Sequence, residues 1–156
     1  MSADDETIYA ALAALMPNIT WTQGGKQRTW VSGVKRRIKL FSDVPQDQQP
    51  WIGQAEHASG EEQVTGMPYK TTLEAQWVIY HADAQDPDFE PTITNNLIIK
   101  ACRDILAPRP SDPGFPKRNT LNGLVHHCYM QGRTIRDPGD IDGQGLIIVP
   151  IKLLVP

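Results

Sequence analysis

The amino-acid sequence predicts an α+β domain: a mainly antiparallel, mixed sheet of four to six strands with two helices packed on one face. Three observations carry this expectation. Two segments, one near the start of the chain and one past its middle, repeat apolar residues at helical spacing. Between and after them lie runs rich in β-branched and aromatic residues, bounded by Pro and Gly. The resulting order is helix, three or four strands, helix, two strands, which segregates the elements as α+β domains do. A single domain over 1–156 is the natural count, and a chain of this length buries about 70% of its unfolded surface.

The first helix is expected over 5–16. Ile8, Tyr9, Leu12, Leu15 and Met16 share one face, Asp4 or Asp5 can cap it, and Pro17 stops it. Residues 17–36 are an extended, less regular stretch. Within it Trp21 and Trp30 flank Gly24-Gly25-Lys26-Gln27-Arg28, a candidate hairpin with its tip at the glycines. Arg37–Phe41 and Trp51–His57 read as short strands. The polar stretch 57–68 has two glycines and no apolar periodicity, and is expected to be a mobile connection. Thr71–Ala82 is the clearest strand: Leu73, Ala75, Trp77 and Ile79 point one way, Thr72, Glu74 and Gln76 the other. An acidic loop, Asp83–Glu90, follows.

The second helix is expected over 92–107, with Ile93, Leu97, Ile98, Ala101, Cys102, Ile105 and Leu106 on its apolar stripe. Pro91 suits its first turn and Pro108 ends it. Residues 107–119 form a proline-rich loop. Leu121–Met130 and Leu146–Val155 then read as two long strands joined by a Pro/Gly loop. The last run is almost wholly apolar and must be covered on both faces, by helices or by a neighbouring copy. Pro150 has no N–H to give to a ladder, which predicts an edge or a bulge there.

A net charge of −3 and a pI near 5.7 argue against a protein that coats nucleic acid as a whole. No run approaches the roughly 18 apolar residues of a membrane span, and the acidic start lacks a secretory pattern. Cys102 and Cys128 sit in apolar settings, as reduced, buried thiols do, which suggests a cytoplasmic product. His126 and His127 point to opposite faces of a regular strand and cannot share one ion, and no spaced partner completes a site with Cys128. Asp83, Asp86, Asp88 and Glu90 form at most a loose cation site, and the prolines among them favour a solvated loop. With no phosphate-cradling loop and no activated nucleophile, the expectation is a protein without cofactor, metal or catalysis.

Charge is segregated. Lys26, Arg28, Lys35, Arg36, Arg37 and Lys39 span a stretch without a single acidic residue. A solvated face is the plainer account; a docking patch for an acidic surface or a DNA backbone is the other.

Several stretches, taken in order, resemble phage tail terminator proteins, also called tail completion or minor tail protein U-like proteins. They are Glu6-Thr7-Ile8-Tyr9-Ala10-Ala11-Leu12, Leu40-Phe41-Ser42-Asp43-Val44-Pro45 with Gln49-Pro50, and Gly66-Met67-Pro68-Tyr69-Lys70-Thr71-Thr72-Leu73. Leu124-Val125-His126-His127-Cys128 and Val149-Pro150-Ile151 complete the set. Residues 18–36 and 107–118 are longer than the family pattern. The resemblance implies a structural virion protein that forms a ring, usually a homo-hexamer, on the last ring of the tail tube. Such a ring stops tube polymerisation and presents a surface to head-completion or neck proteins. It would be assembled in the host cytoplasm and reside near the head–tail junction, with DNA passing through only as cargo and no membrane contact. A head-to-tail ring needs two unlike patches per subunit. The candidates of opposite sign are the six basic residues of Lys26–Lys39 and the stretch Asp83–Glu90, with Asp86 and Asp88; Glu61, Glu62 and Ile151 of the apolar strand are further interface candidates. Three alternatives remain open: a nucleic-acid-binding module using 21–39, another head–tail connector, and an enzyme around His126–Cys128.

Overall fold

The computed structural model describes residues 3–63, 65–67, 69–82, 90–137 and 144–156. Asp4 opens helix α1 (Asp5–Ala13) by accepting the Thr7 N–H at 2.7 Å, and its carboxylate suits the positive end of the helix. The helix stops short of residue 16. Met16-Pro17-Asn18 tightens into a single 3-10 turn that tolerates the proline at its start and still buries Met16. Strands β1 (Trp21–Gln23) and β2 (Lys26–Arg28) make the expected hairpin, with Gln23 opposite Lys26. Gly24 and Gly25 have φ of 61° and 75°. Two successive positive φ values make the type I′ turn whose twist matches the strands it joins.

Six strands form the main sheet: β3 (Val34–Lys35), β4 (Trp51–Glu62), β5 (Lys70–Ala82), β6 (His127–Met130), β7 (Ile135–Asp137) and β8 (Gln144–Val155). Their order is β3-β4-β5-β8-β6, with β7 also on β8. The sheet is mixed, because β3 runs parallel to β4 while every other pairing is antiparallel. Helix α2 (Pro91–Leu106) packs beside α1 on one face. The architecture is the α+β fold expected.

Several elements differ from the sequence reading. Arg37–Phe41 is not a strand: β3 comes earlier, and Phe41–Asp43 is a 3-10 turn. The Tyr80 hydroxyl donates to the Lys39 carbonyl at 2.8 Å and Phe41 packs edge-on against Tyr80. The chain is thereby drawn across the second face of the sheet. His57–Glu62 is strand rather than loop, since ladder pairing with β5 needs no apolar side chains. Leu121 and Asn122, with Gly123, hold positive φ and form a turn, so that β6 begins only at His127.

A further difference concerns β8, which is central and not an edge. β5 lines one side of it, and β6 and β7 line the other. The Pro150 carbonyl accepts the Gln131 N–H at 3.2 Å. A strand residue's N–H and C=O face the same neighbour, so the missing donor falls in the gap between β6 and β7 and breaks no ladder bond.

The main core lies between the helices and the sheet. Ile8, Leu12 and Met16 meet Ile98, Ile99, Cys102 and Leu106 over Leu73, Ala75, Trp77, Ile79, Ile147, Val149, Ile151 and Leu153. The stripe of α2 is rotated from the expected one: Ile99 is buried and Ile93 is about half exposed. On the opposite face Val44, Trp51, Val78 and Tyr80 form a smaller cluster, backed by Phe41, Leu146 and Ile148. Alternate residues of β8 thus enter two covers, which accounts for its unbroken apolar run. Gln54, fully buried, ties the layers together. It accepts from the Trp77 indole at 3.1 Å and donates to the Tyr9 carbonyl at 3.1 Å. Among the described residues, no helix is long and apolar enough to cross a membrane.

Candidate subunit interface

The basic stretch divides into two kinds of residue. Arg36 is a clamp. Its guanidinium meets Glu6 at 2.5 Å and Glu56 at 2.6 Å, and its Nε donates to Glu56 at 2.8 Å. Hydrogen bonds from Arg36 hold both carboxyls below their ordinary range, and those carboxylates in turn push the guanidinium's pKa up. The triad pins the start of α1 and the segment after β3 to β4. Glu6 and Glu56 lie far from Arg36 in the chain, which is why sequence alone put Arg36 with the free cations. Lys26, Arg28, Lys35, Arg37 and Lys39 form no ion pair among the described residues. Between them Val31, Ile38 and Leu40 stand exposed, Leu40 to 71%.

The second feature is the far end of the β4–β5 ribbon. β8 ends at Val155, opposite Thr71, so the last pair of the ribbon, Glu62 opposite Lys70, lies just beyond it. β3 covers β4 only at Ile52 and Gly53. There a side chain at Gly53 would run into the Arg37 carbonyl, and only glycine permits the approach. Past a bulge between Glu56 and Ala58, residues Ser59–Glu62 are exposed on an open edge. Such edges are commonly blunted by charge and bulges, and Glu61 and Glu62 fit that pattern. Met67 and Tyr69 at the ribbon's end are exposed to 53% and 58%.

The other candidates fare differently. Asp86 and Asp88, with the rest of 83–89, lie outside the described residues. Ile151 is a correction: it is 2% exposed within the main core and offers no surface to a partner. His126 sits beside the Arg118 guanidinium, and the His127 ring stacks on Tyr129 at 4.7 Å. Cys128 and Cys102 are buried, and burial pushes both thiols up to about 12. A thiol that stays protonated is a poor nucleophile and metal ligand. Among the described residues, no group of three or more His, Cys, Asp or Glu could hold a metal ion.

Two polar sites were not anticipated from sequence. The first is His81, where the strand reading ended and the acidic loop began. It is buried against Gly145 of β8 and hydrogen-bonds Asn95 of α2. Burial lowers its pKa, with the Asn95 bond opposing. The second is Asp112 in the proline-rich loop, which gathers backbone donors from Gly114, Thr120 and Asn122. It lies at an open groove of about 530 Å³ between α1 and residues 109–124. The polar groups there are largely spent within the chain. Asn119, for example, donates to the Leu106 carbonyl at 3.0 Å and accepts the Leu121 N–H at 3.0 Å. That arrangement shapes a loop and leaves no acid–base pair.

The chain matches no family model, and no curated protein matches it.

Proposed function

We propose that this chain is a non-catalytic structural protein that assembles with copies of itself into a closed ring, as phage tail terminators do. The observation that carries this reading is the ordered series of stretches, from Glu6–Leu12 to Val149–Ile151, that resemble those of tail terminators. Geometry adds support, because the open far end of the β4–β5 ribbon and an exposed basic, apolar stretch give the subunit two unlike patches, which a head-to-tail ring requires. In this reading the partners are further copies, with six to the ring. The tail tube protein meets one face and a head-completion or neck protein the other, at the head–tail junction, and DNA is cargo in the lumen. Since β8 is covered within the chain, other surfaces must hold the ring.

The test is light scattering over a range of concentrations, together with tube polymerisation in the presence of the protein. A ring mass and arrested tubes are expected. A protein that stays monomeric, in solution and on tubes, and leaves tube growth unchanged is not a terminator. The five cations that form no ion pair among the described residues favour a second reading, a nucleic-acid-binding module. About five phosphate contacts would give a log–log salt dependence of DNA affinity with a slope near −4 to −5, whereas an apolar subunit contact would respond much less.

A further inference from the structure

We infer that the far end of the β4–β5 ribbon docks on the Val31–Leu40 stretch of a neighbouring copy. This deepens the ring reading and rests on it. Among the described residues eight large hydrophobic side chains are exposed, and five of them fall in these two stretches: Met67 and Tyr69 on the ribbon, Val31, Ile38 and Leu40 on the other. The flanking charges are opposite in sign. Glu61 and Glu62 accompany the ribbon, with Lys70 opposite Glu62 leaving an acidic balance, while Lys35, Arg37 and Lys39 alternate with the second set. Exposed apolar anchors within a charged surround are the composition of an interface: the apolar residues supply the energy and the charges select the pairing.

The two patches cannot meet within one copy. The Lys39 carbonyl is held by the Tyr80 hydroxyl near the end of β5, whereas Tyr69 immediately precedes the start of that strand. Ten residues of strand separate the two sites, about 33 Å at the usual rise. Complementary patches at opposite ends of a rigid sheet make a heterologous contact, in which each copy gives its ribbon to the next. The occupant is therefore a second copy of this chain.

The experiment places a photo-crosslinking benzoylphenylalanine at Tyr69 in the full chain, mixed with isotope-labelled copies, alone and with tail tubes, so that adducts between copies are recognised by mass. Adducts within residues 31–40 of a labelled copy are expected. Glu61→Lys with Glu62→Lys should lower their yield about fivefold, as loss of roughly 1 kcal/mol of charge pairing implies. Adding Arg37→Glu and Lys39→Glu should restore most of it, with melting temperature unchanged throughout. Adducts on another segment of a second copy would overturn this docking mode and leave the ring standing. Adducts formed only with tail-tube subunits would overturn the choice of occupant. A protein that is monomeric at every concentration and on tail tubes, with no adduct between copies in either setting, would remove the ring reading as well.

Discussion

Asp112→Ala measures how far one carboxylate organises the loop that delivers β6 to the sheet. The side chain accepts the Gly114 N–H at 2.7 Å, the Thr120 N–H at 3.0 Å and hydroxyl at 2.7 Å, and the Asn122 N–H at 3.1 Å. Burial works to raise its pKa, but these donors outweigh it and hold the carboxyl below its ordinary value. Removing the acceptor orphans four donors. The Thr120 hydroxyl can rotate, and the half-buried Asn122 N–H can turn to water. The Gly114 and Thr120 N–H groups cannot, and two such losses cost about 3–4 kcal/mol. For a domain of this size, about 2–4 °C per kcal/mol gives a fall in Tm near 10 °C. Asp112→Asn keeps one oxygen and should fall about half as far. The same loop anchors β6, since the Asn119 carbonyl accepts the Cys128 N–H at 2.7 Å, so amide exchange at Cys128 should quicken in step. An Asp112→Ala melt within about 2 °C of the parent would show that the proline-rich loop is held by other contacts.

Two further outcomes are expected. Gly145→Ala should cost about 1–3 kcal/mol, because the new methyl overlaps the His81 ring and β8, paired on both sides, cannot retreat; in a double-mutant cycle with His81→Ala the cost should shrink, and strictly additive melts would count against the clash. Stability should also fall with pH in two stages. His81 has a folded pKa below its ordinary 6.5, so its contribution is present above 6.5 and lost as the unfolded chain takes up the proton below it. Glu56, held below its ordinary 4.5 by Arg36, contributes above 4.5 and loses that contribution as pH falls through its folded value. A Tm unchanged between pH 7.5 and 5.5, about one unit either side of the ordinary histidine value, would refute the first stage.

Local signals carried the helices, the Gly24-Gly25 hairpin and the core face of β5, because each is written in spacing a few residues long. Leu73, Ala75, Trp77 and Ile79 alternate in the chain and all four are buried. What failed was placement. Val78 and Tyr80 are buried as well, but only because Phe41, from a segment that read as a short strand, and Val44, just beyond it, cover them. Leu121 looked like strand because its neighbours are apolar; its positive φ is imposed by a turn whose anchor, Asp112, is nine residues away. For the interface candidates the outcome followed the same line. Exposure at Lys26 and Arg28 comes with a hairpin that local sequence specifies. The engagement of Arg36 and the burial of Ile151 depend on tertiary partners that no window contains.

The fate of β8 bears on how a ring of this chain would form. Its apolar run suggested a subunit that needs a neighbour in order to bury its own strand, and in that case folding and assembly would be one event. Instead Ile147, Val149, Ile151 and Leu153 are buried against the helices of the same chain, and Leu146 and Ile148 pack against the second cluster. The exposed apolar residues of the ribbon and of Val31–Leu40 all lie outside both clusters. Under the ring reading, then, the subunit folds first and associates afterwards through a few anchors and matched charge. Such an interface is weak in any single contact. It gains strength where several contacts close together, as in a ring, or where a template such as a tube end holds the copies at high effective concentration. A terminator with those properties would form rings in solution only as its concentration rises, and far more readily on a finished tube end.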